Sequence, residues 1–135
     1  WNGDDLAQAI GRCRMLVSND YELAMITNAT GLAVSQLLQL VDTIITTKGE
    51  QGSEIVTRDG VVTVPVVPTD NVVDPTGAGD VFSAAYLIRF GETRDPLESA
   101  RFASCAASFC VEAKGTLGIP TRAEVKKRLR IGSEE

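Results

Sequence analysis

Apolar positions along the chain follow a helical period in some segments and form short β-branched runs in others, and the two patterns take turns. Leu6, Ala9 and Ile10 fall on one helical face behind Asp4 and Asp5, either of which can cap that helix, and Gly11 can end it. A strand is predicted at 15–17. Asn19 then stands as the N-cap of a second helix, with Glu22 three positions on, as in a capping box. Residues 28–31 break that helix, and Leu37, Leu38, Leu40 and Val41 give a wide apolar face to another over 32–41. The run Thr43-Ile44-Ile45-Thr46-Thr47 is too short for a helix and β-branched throughout, so it is predicted to be a buried strand.

The second half changes rhythm. Lys48 to Gly52 is a glycine-punctuated turn, followed by a predicted hairpin of 53–57 and 61–67 around Arg58-Asp59-Gly60, with Pro65 and Pro68 marking an edge or a strand end. Val72 and Val73 predict a strand that ends at Asp74, a tight turn through Gly77 and Gly79, and a largely apolar helix over 81–90. Asp95, Pro96 and Glu98 supply an N-cap, a first-turn proline and an acidic third position, so a helix is predicted from there to about 113. A loop over 114–120 leads to Thr121 and Glu124, a further capping box opening a basic terminal helix, and Ser133, Glu134 and Glu135 are expected to fray. Helices alternating with apolar strands indicate an α/β layer fold whose sheet is at least partly parallel. The strands are few for such a sheet and leave an edge uncovered, so further chain upstream is expected. A first residue of Trp, not Met, agrees with that expectation.

Composition narrows the chemistry. With 135 residues and 44% apolar side chains the chain has the size of one globular domain. Its net charge of −5 and pI near 4.8 argue against a general nucleic-acid or anionic-membrane surface, so an anionic ligand must be caught locally. No apolar run approaches the ~20 residues that span a bilayer. There is no histidine, which removes Ser-His-Asp triads, Cys-His pairs and His-ligated zinc and leaves base chemistry to carboxylates. Cys13, Cys105 and Cys110 lack C-x-x-C spacing and are read as buried thiols of a reducing, cytoplasmic setting.

The segment Asp74-Pro75-Thr76-Gly77-Ala78-Gly79-Asp80 is the most informative in the sequence. Two glycines around a small residue at a helix start permit a tight bend and leave unpaired N–H groups, which with the helix dipole favour a phosphate without any Lys or Arg. A carboxylate at Asp80 would repel that phosphate unless it faces another group, such as a hydroxyl whose proton it accepts during phosphoryl transfer. The plainer alternative keeps Asp80 as a first-turn acid complementing the dipole and the glycines as a tight connection. A dinucleotide-binding Rossmann turn fits less well: its third glycine would fall at Phe82, and no acidic residue follows at the next strand end. A P-loop is absent, since no G-x-x-x-x-G-K-[ST] occurs.

With its continuation Val81-Phe82-Ser83-Ala84-Ala85, this segment resembles the C-terminal signature, usually D-T-T-G-A-G-D, of the ribokinase-like or PfkB family of carbohydrate and nucleoside kinases; Pro75 is a mild variation. The resemblance implies that Gly77, Ala78 and Gly79 form an anion hole, that Asp80 is the catalytic base, and that Asp74 helps to bind a monovalent cation such as K+. Asn19-Asp20-Tyr21-Glu22 is similar to the family's N-x-x-E motif, which implies a role for Asn19 and Glu22 at Mg2+, through water. Thr47-Lys48-Gly49-Glu50-Gln51-Gly52 is similar to the family's T-x-G-x-x-G turn, which implies ATP contacts at Thr47, Gly49 and Gly52. Gly115 lies where members border the nucleotide base and complete the cation site, and Lys48 and Lys114 stand where they can reach phosphates, though each also reads as a solvated lysine.

The resemblance runs from about Arg14 to Leu129 and implies the C-terminal part of a ribokinase-like, three-layer α/β/α fold with a largely parallel sheet. The implied protein is an ATP-dependent phosphotransferase acting on an alcohol group of a sugar or nucleoside, with adenosine kinase-like members one subclass and a homodimer one assembly. The N-terminal portion and β-lid that hold the acceptor are not in these residues. A fragment or regulatory subunit that keeps the fold and the nucleotide without catalysis is the competing expectation.

Overall fold

Thr43–Thr47, all β-branched, lies at the centre of the sheet and is buried over its first four residues. The computed structural model describes residues 2–69 and 71–131, and the expected fraying at 133–135 lies outside them. The chain divides into two compact units, Trp1–Thr63 and Val64–Glu135.

The first unit runs α1 (Gly3–Ile10), β1 (Met15–Asn19), α2 (Asp20–Thr30), α3 (Val34–Leu40), β2 (Thr43–Thr47), β3 (Ser53–Thr57) and into β4 (Gly60–Val64). The sheet order is β1-β2-β3-β4. It is mixed: β1 and β2 are parallel, and β2 and β3 antiparallel. Strand alternation sends Ile44 and its partner Val56 to one face, where they pack with Ile10, Leu37 and Val41 and with the inner sides of Leu6, Leu23, Ile26 and Leu32. Ile45 and its register partner Ile55 are buried on the opposite face.

Local chemistry explains most boundaries and two departures. Asn2, one turn earlier than Asp4 and Asp5, caps α1 by accepting the Asp5 N–H at 2.8 Å, so the two aspartates lie within the first turn, where they favour the dipole. The second hairpin strand stops at Val64 because Pro65 has no N–H to give a ladder. At Gly3 the helix passes so close to α2 that a Cβ would stand 2.0 Å from the Ala29 carbonyl oxygen. Gly3→Ala is therefore expected to destabilise this unit by about 1–3 kcal/mol, outweighing the ~1 kcal/mol that alanine gains in a helix. A urea midpoint equal to or above the parent's would contradict that close approach.

The second unit is built on a helix pair, α4 (Ala78–Thr93) and α5 (Pro96–Val111), with α6 (Arg122–Ile131) after a 3-10 turn at Gly115–Gly118. Small residues on α5, among them Ser99, Ala100 and Ala103, are fully buried and let α4 approach with Phe82, Ala85 and Tyr86. The caps follow the sequence: the Asp95 carboxylate accepts the Glu98 N–H at 2.9 Å, and Thr121 and Glu124 exchange bonds at the start of α6. One expected element does not form. Residues 72–74 make no ladder; the N–H groups of Val73 and Asp74 both donate to the Val111 carbonyl at the end of α5, at 2.7 and 3.1 Å. Val72 and Val73, read as strand residues, are exposed. Of the three thiols, Cys105 and Cys110 are buried as expected, whereas Cys13 is exposed in the link between α1 and β1.

Candidate active site

Parallel pairing of β1 with β2 places Asn19 directly beside Thr47, 28 positions apart in sequence, at the carboxyl ends of both strands. In open α/β sheets that end is where ligands bind. Asn19 closes β1 and caps α2: its Oδ1 accepts the Glu22 N–H at 2.7 Å and its own N–H donates to Glu22 Oε2 at 2.9 Å. The capping box is thus real, and it aligns the Glu22 carboxylate beside the strand end while leaving its second oxygen outside the box. Beyond Thr47 the chain turns sharply, with Lys48 N–H donating to the Gly52 carbonyl and Gly52 N–H to the Gly49 carbonyl, at 2.8 and 3.1 Å. Asn19, Glu22, Thr47, Gly49 and Gly52 therefore gather at one end of the first unit. Lys48 is engaged in an ion pair with Glu54 at 2.9 Å, both about one-third exposed, so it is not a free phosphate ligand.

In the second unit the backbone enters α4 through Gly77 at φ +83°, a left-handed conformation that strains any residue with a Cβ. Asp74 prepares this turn: its Oδ1 accepts the Thr76 N–H at 2.9 Å, and hydrogen bonds from Thr76, side chain first and main chain second, hold its carboxyl below the usual carboxylate range. No side chain caps α4. Ala78 N–H donates back to the Pro75 carbonyl and Val81 N–H to the Gly77 carbonyl, at 3.2 and 2.9 Å. Among the described residues the amides of Gly77, Gly79 and Asp80 have no protein acceptor, whereas that of Ala78, also expected in the anion hole, is engaged by Pro75. Such an end attracts an anion.

The Asp80 side chain is exposed and makes no hydrogen bond or ion pair with any described residue. Beneath the turn lies the Cys110 thiol, 3.7 Å from the Thr76 carbonyl, with its pKa raised by burial first and by the charges of Asp74 and Asp80 after that. It is a neutral, buried neighbour of the anion-binding end. Gly115 follows α5 at an exposed position, as does Lys114.

Several residues that build this end escape sequence reasoning. Cys110 reaches Thr76 across 34 positions, and the Val111 carbonyl fixes the approach to Asp74. Gly118 packs so tightly that a Cβ would fall 2.8 Å from Cys110 Cα and from the Phe109 carbonyl oxygen. Glu112 accepts two bonds from the Arg128 guanidinium, at 3.0 and 2.8 Å, and one from the Thr69 hydroxyl at 2.5 Å, while Arg128 lies over the Phe109 ring. Only the glycine at 118 leaves a sequence signal, a second glycine three after Gly115.

A nucleoside kinase of Methanocaldococcus jannaschii is 34% identical over 125 residues, 92% of this chain and 41% of that protein. The structure of a Burkholderia thailandensis nucleoside kinase in complex with ADP-inosine superimposes with a TM-score of 0.94 at 30% identity, covering 100% of this chain and 43% of that one. Arabidopsis thaliana ribokinase complexed with ribose and ATP gives a TM-score of 0.79 at 30% identity over 92% of this chain and 43% of that one. The expected ribokinase-like α/β fold is thereby shown, and the chain spans about two-fifths of the length of these relatives. Residues 1–122 match the pfkB family carbohydrate kinase pattern, and the chain belongs to that family.

Proposed function

We propose that this chain is the nucleotide-binding and phosphoryl-transfer portion of an ATP-dependent kinase that phosphorylates a hydroxyl of a sugar or nucleoside. The observation behind this assignment is the exposed Asp80 carboxylate, without a partner among the described residues, in the first turn of a helix whose neighbouring amides are open among those same residues. Support comes from relatives named nucleoside kinase and ribokinase, two of them solved with ADP-inosine or with ribose and ATP.

In the reaction, the acceptor oxygen forms a bond to the γ-phosphorus as the bond from that phosphorus to the bridging oxygen of ADP breaks, and Asp80 takes the hydroxyl proton. The amides of Gly77, Gly79 and Asp80 hold the negative oxygens of the transferring group, which is the largest demand of a loose phosphoryl transition state. Thr47, Gly49, Gly52 and Gly115 serve the nucleotide. The donor set suits a hard cation: Asn19 and the outer oxygen of Glu22 would hold Mg2+ through water, and the ionised Asp74 would draw a monovalent cation such as K+. Mg2+, when bound, offsets the charge of the phosphates. Free thiols at Cys13, Cys105 and Cys110 are in keeping with a reducing, cytoplasmic location.

Titration of the chain with Mg-ATP and, separately, with NAD tests the nucleotide assignment. Saturable binding of Mg-ATP that is lost in EDTA and absent with NAD is the expected result. Equal binding of NAD, or none of ATP, would overturn it.

A further inference from the structure

Glu112 caps the end of α5, and its side chain joins three parts of the second unit. Its Oε1 accepts from the Thr69 hydroxyl at 2.5 Å and from Arg128 Nη1 at 3.0 Å, and its Oε2 accepts from Arg128 Nη2 at 2.8 Å. Thr69 lies on the approach to the Gly77 turn, and Arg128 belongs to α6, beyond the loop that carries Gly115. The guanidinium is fixed from two further sides: Nη1 donates to the Ser108 hydroxyl at 2.8 Å, and the group lies 3.4 Å from the centre of the Phe109 ring. A two-pronged pair of this kind dictates the direction of a carboxylate as well as its location. Packing of α6 on α5 has another source, since Val125 is buried and its carbonyl accepts from the Cys105 thiol at 3.6 Å.

The approach to the Gly77 turn is held at two places by adjacent residues at the end of α5. Thr69 is bound by the Glu112 carboxylate, and the N–H groups of Val73 and Asp74 by the Val111 carbonyl. Residues 72–74 make no ladder, and Val72 and Val73 are exposed, so neither sheet pairing nor burial fixes this stretch. The ties to α5 must do so. We infer that Thr69 and Arg128 are positioning residues of the phosphoryl-transfer site: Arg128 aims the Glu112 carboxylate, the carboxylate holds Thr69, and the approach so pinned sets where Asp74 and the amides of Gly77 and Gly79 stand. Both act through other residues. The kinetic half of this inference rests on the function proposed above; the placement half does not.

The test is made in the full reading frame that contains this chain, with Thr69→Val, Thr69→Ser, Arg128→Gln and the double variant Thr69→Val with Arg128→Gln. Thr69→Val removes one hydroxyl and leaves the ion pair, so melting should fall by no more than about 4 °C. Amide hydrogen exchange at Val73, Asp74 and Thr76 should nonetheless speed up by roughly 10-fold or more. With Mg-ATP and inosine or ribose, kcat should fall about 10-fold as the turn drifts from its productive geometry. The KM for Mg-ATP should change by less than about 3-fold, because the amides act chiefly on the transferring group in the transition state. Thr69→Ser keeps the hydroxyl and should restore exchange and kcat to within about 2-fold of the parent. The double variant should be no slower than Arg128→Gln alone, since both substitutions break one relay. Parent-like behaviour of Thr69→Val in either exchange or kcat would overturn the inference, as would losses from Thr69→Val and Arg128→Gln that multiply. If Arg128→Gln fails to fold, the two Thr69 variants decide. Mg-ATP binding by the parent separates the two ideas: its absence counts against the kinase, and there, or where neither acceptor turns over, the exchange comparison alone decides the relay.

Discussion

Asp80→Asn, made in the full reading frame, is expected to lower kcat for phosphoryl transfer by roughly 10²–10⁴-fold, the usual contribution of a positioned general base. Binding of Mg-ATP should be preserved or slightly tightened. Asparagine keeps the size and the first-turn position but removes a negative charge that stands beside the phosphate site, so the ground-state effect on an anionic ligand is favourable while the proton acceptor is lost. A split between kcat and nucleotide affinity is therefore the signature of a base. If Asp80 serves only the dipole of α4, the same substitution would cost about 0.3–1 kcal/mol of stability and leave turnover intact. Undiminished turnover would remove Asp80 from the chemistry. The structure already excludes one structural role, since the carboxylate is exposed and has no partner among the described residues.

A large, pH-dependent stability effect is expected at Glu112. Its carboxyl is held below the usual range by the two Arg128 hydrogen bonds first, against the opposing effect of burial, with the Thr69 hydroxyl adding to the lowering. A folded-state pKa below the reference 4.5 means that its contribution is fully present above pH 4.5 and is lost as the pH falls through the lowered value. Glu112→Gln should cost about 1–3 kcal/mol at pH 7, less than a fully buried pair because both side chains are a little over one-quarter exposed. The gap to the parent should narrow as the pH falls below 4.5. Urea unfolding at pH 7 and pH 3.5 reads both quantities, and a gap of the same size at both would show that the ion pair is not its source. The effect reaches the site through one residue: Val111, next to Glu112, offers the carbonyl that fixes Val73 and Asp74 ahead of the Gly77 turn.

Local chemistry was readable wherever a few neighbouring residues settle the outcome. The caps at Asn19, Asp95 and Thr121 form as their spacing predicts, because each closes a ring within three residues. The strand at 43–47 and the Gly77 turn were legible for the same reason: β-branched side chains disfavour the helix, and a positive φ demands glycine. The strand expected at 72–74 shows the limit. Two valines before a turn look the same whether they enter a ladder or lie exposed, and the choice depends on whether a neighbouring strand exists to pair with them. The cap of α1 was misplaced by a smaller margin, since Asn2, Asp4 and Asp5 can all accept an amide and only the helix start selects among them.

By itself the sequence determined the family and the mixture of helices and strands, and it singled out the residues proposed to bind phosphate and accept a proton, since these depend on residue type and short spacing. Tertiary structure decided that Asn19 and Thr47 stand side by side, that Cys110 lies under the Gly77 turn, and that among the described residues Asp80 has no hydrogen-bond or ion-pair partner and one apolar face of α4 is exposed. Those facts come from contacts between residues tens of positions apart. Their free energy arises only when whole elements pack, and no local pattern encodes it.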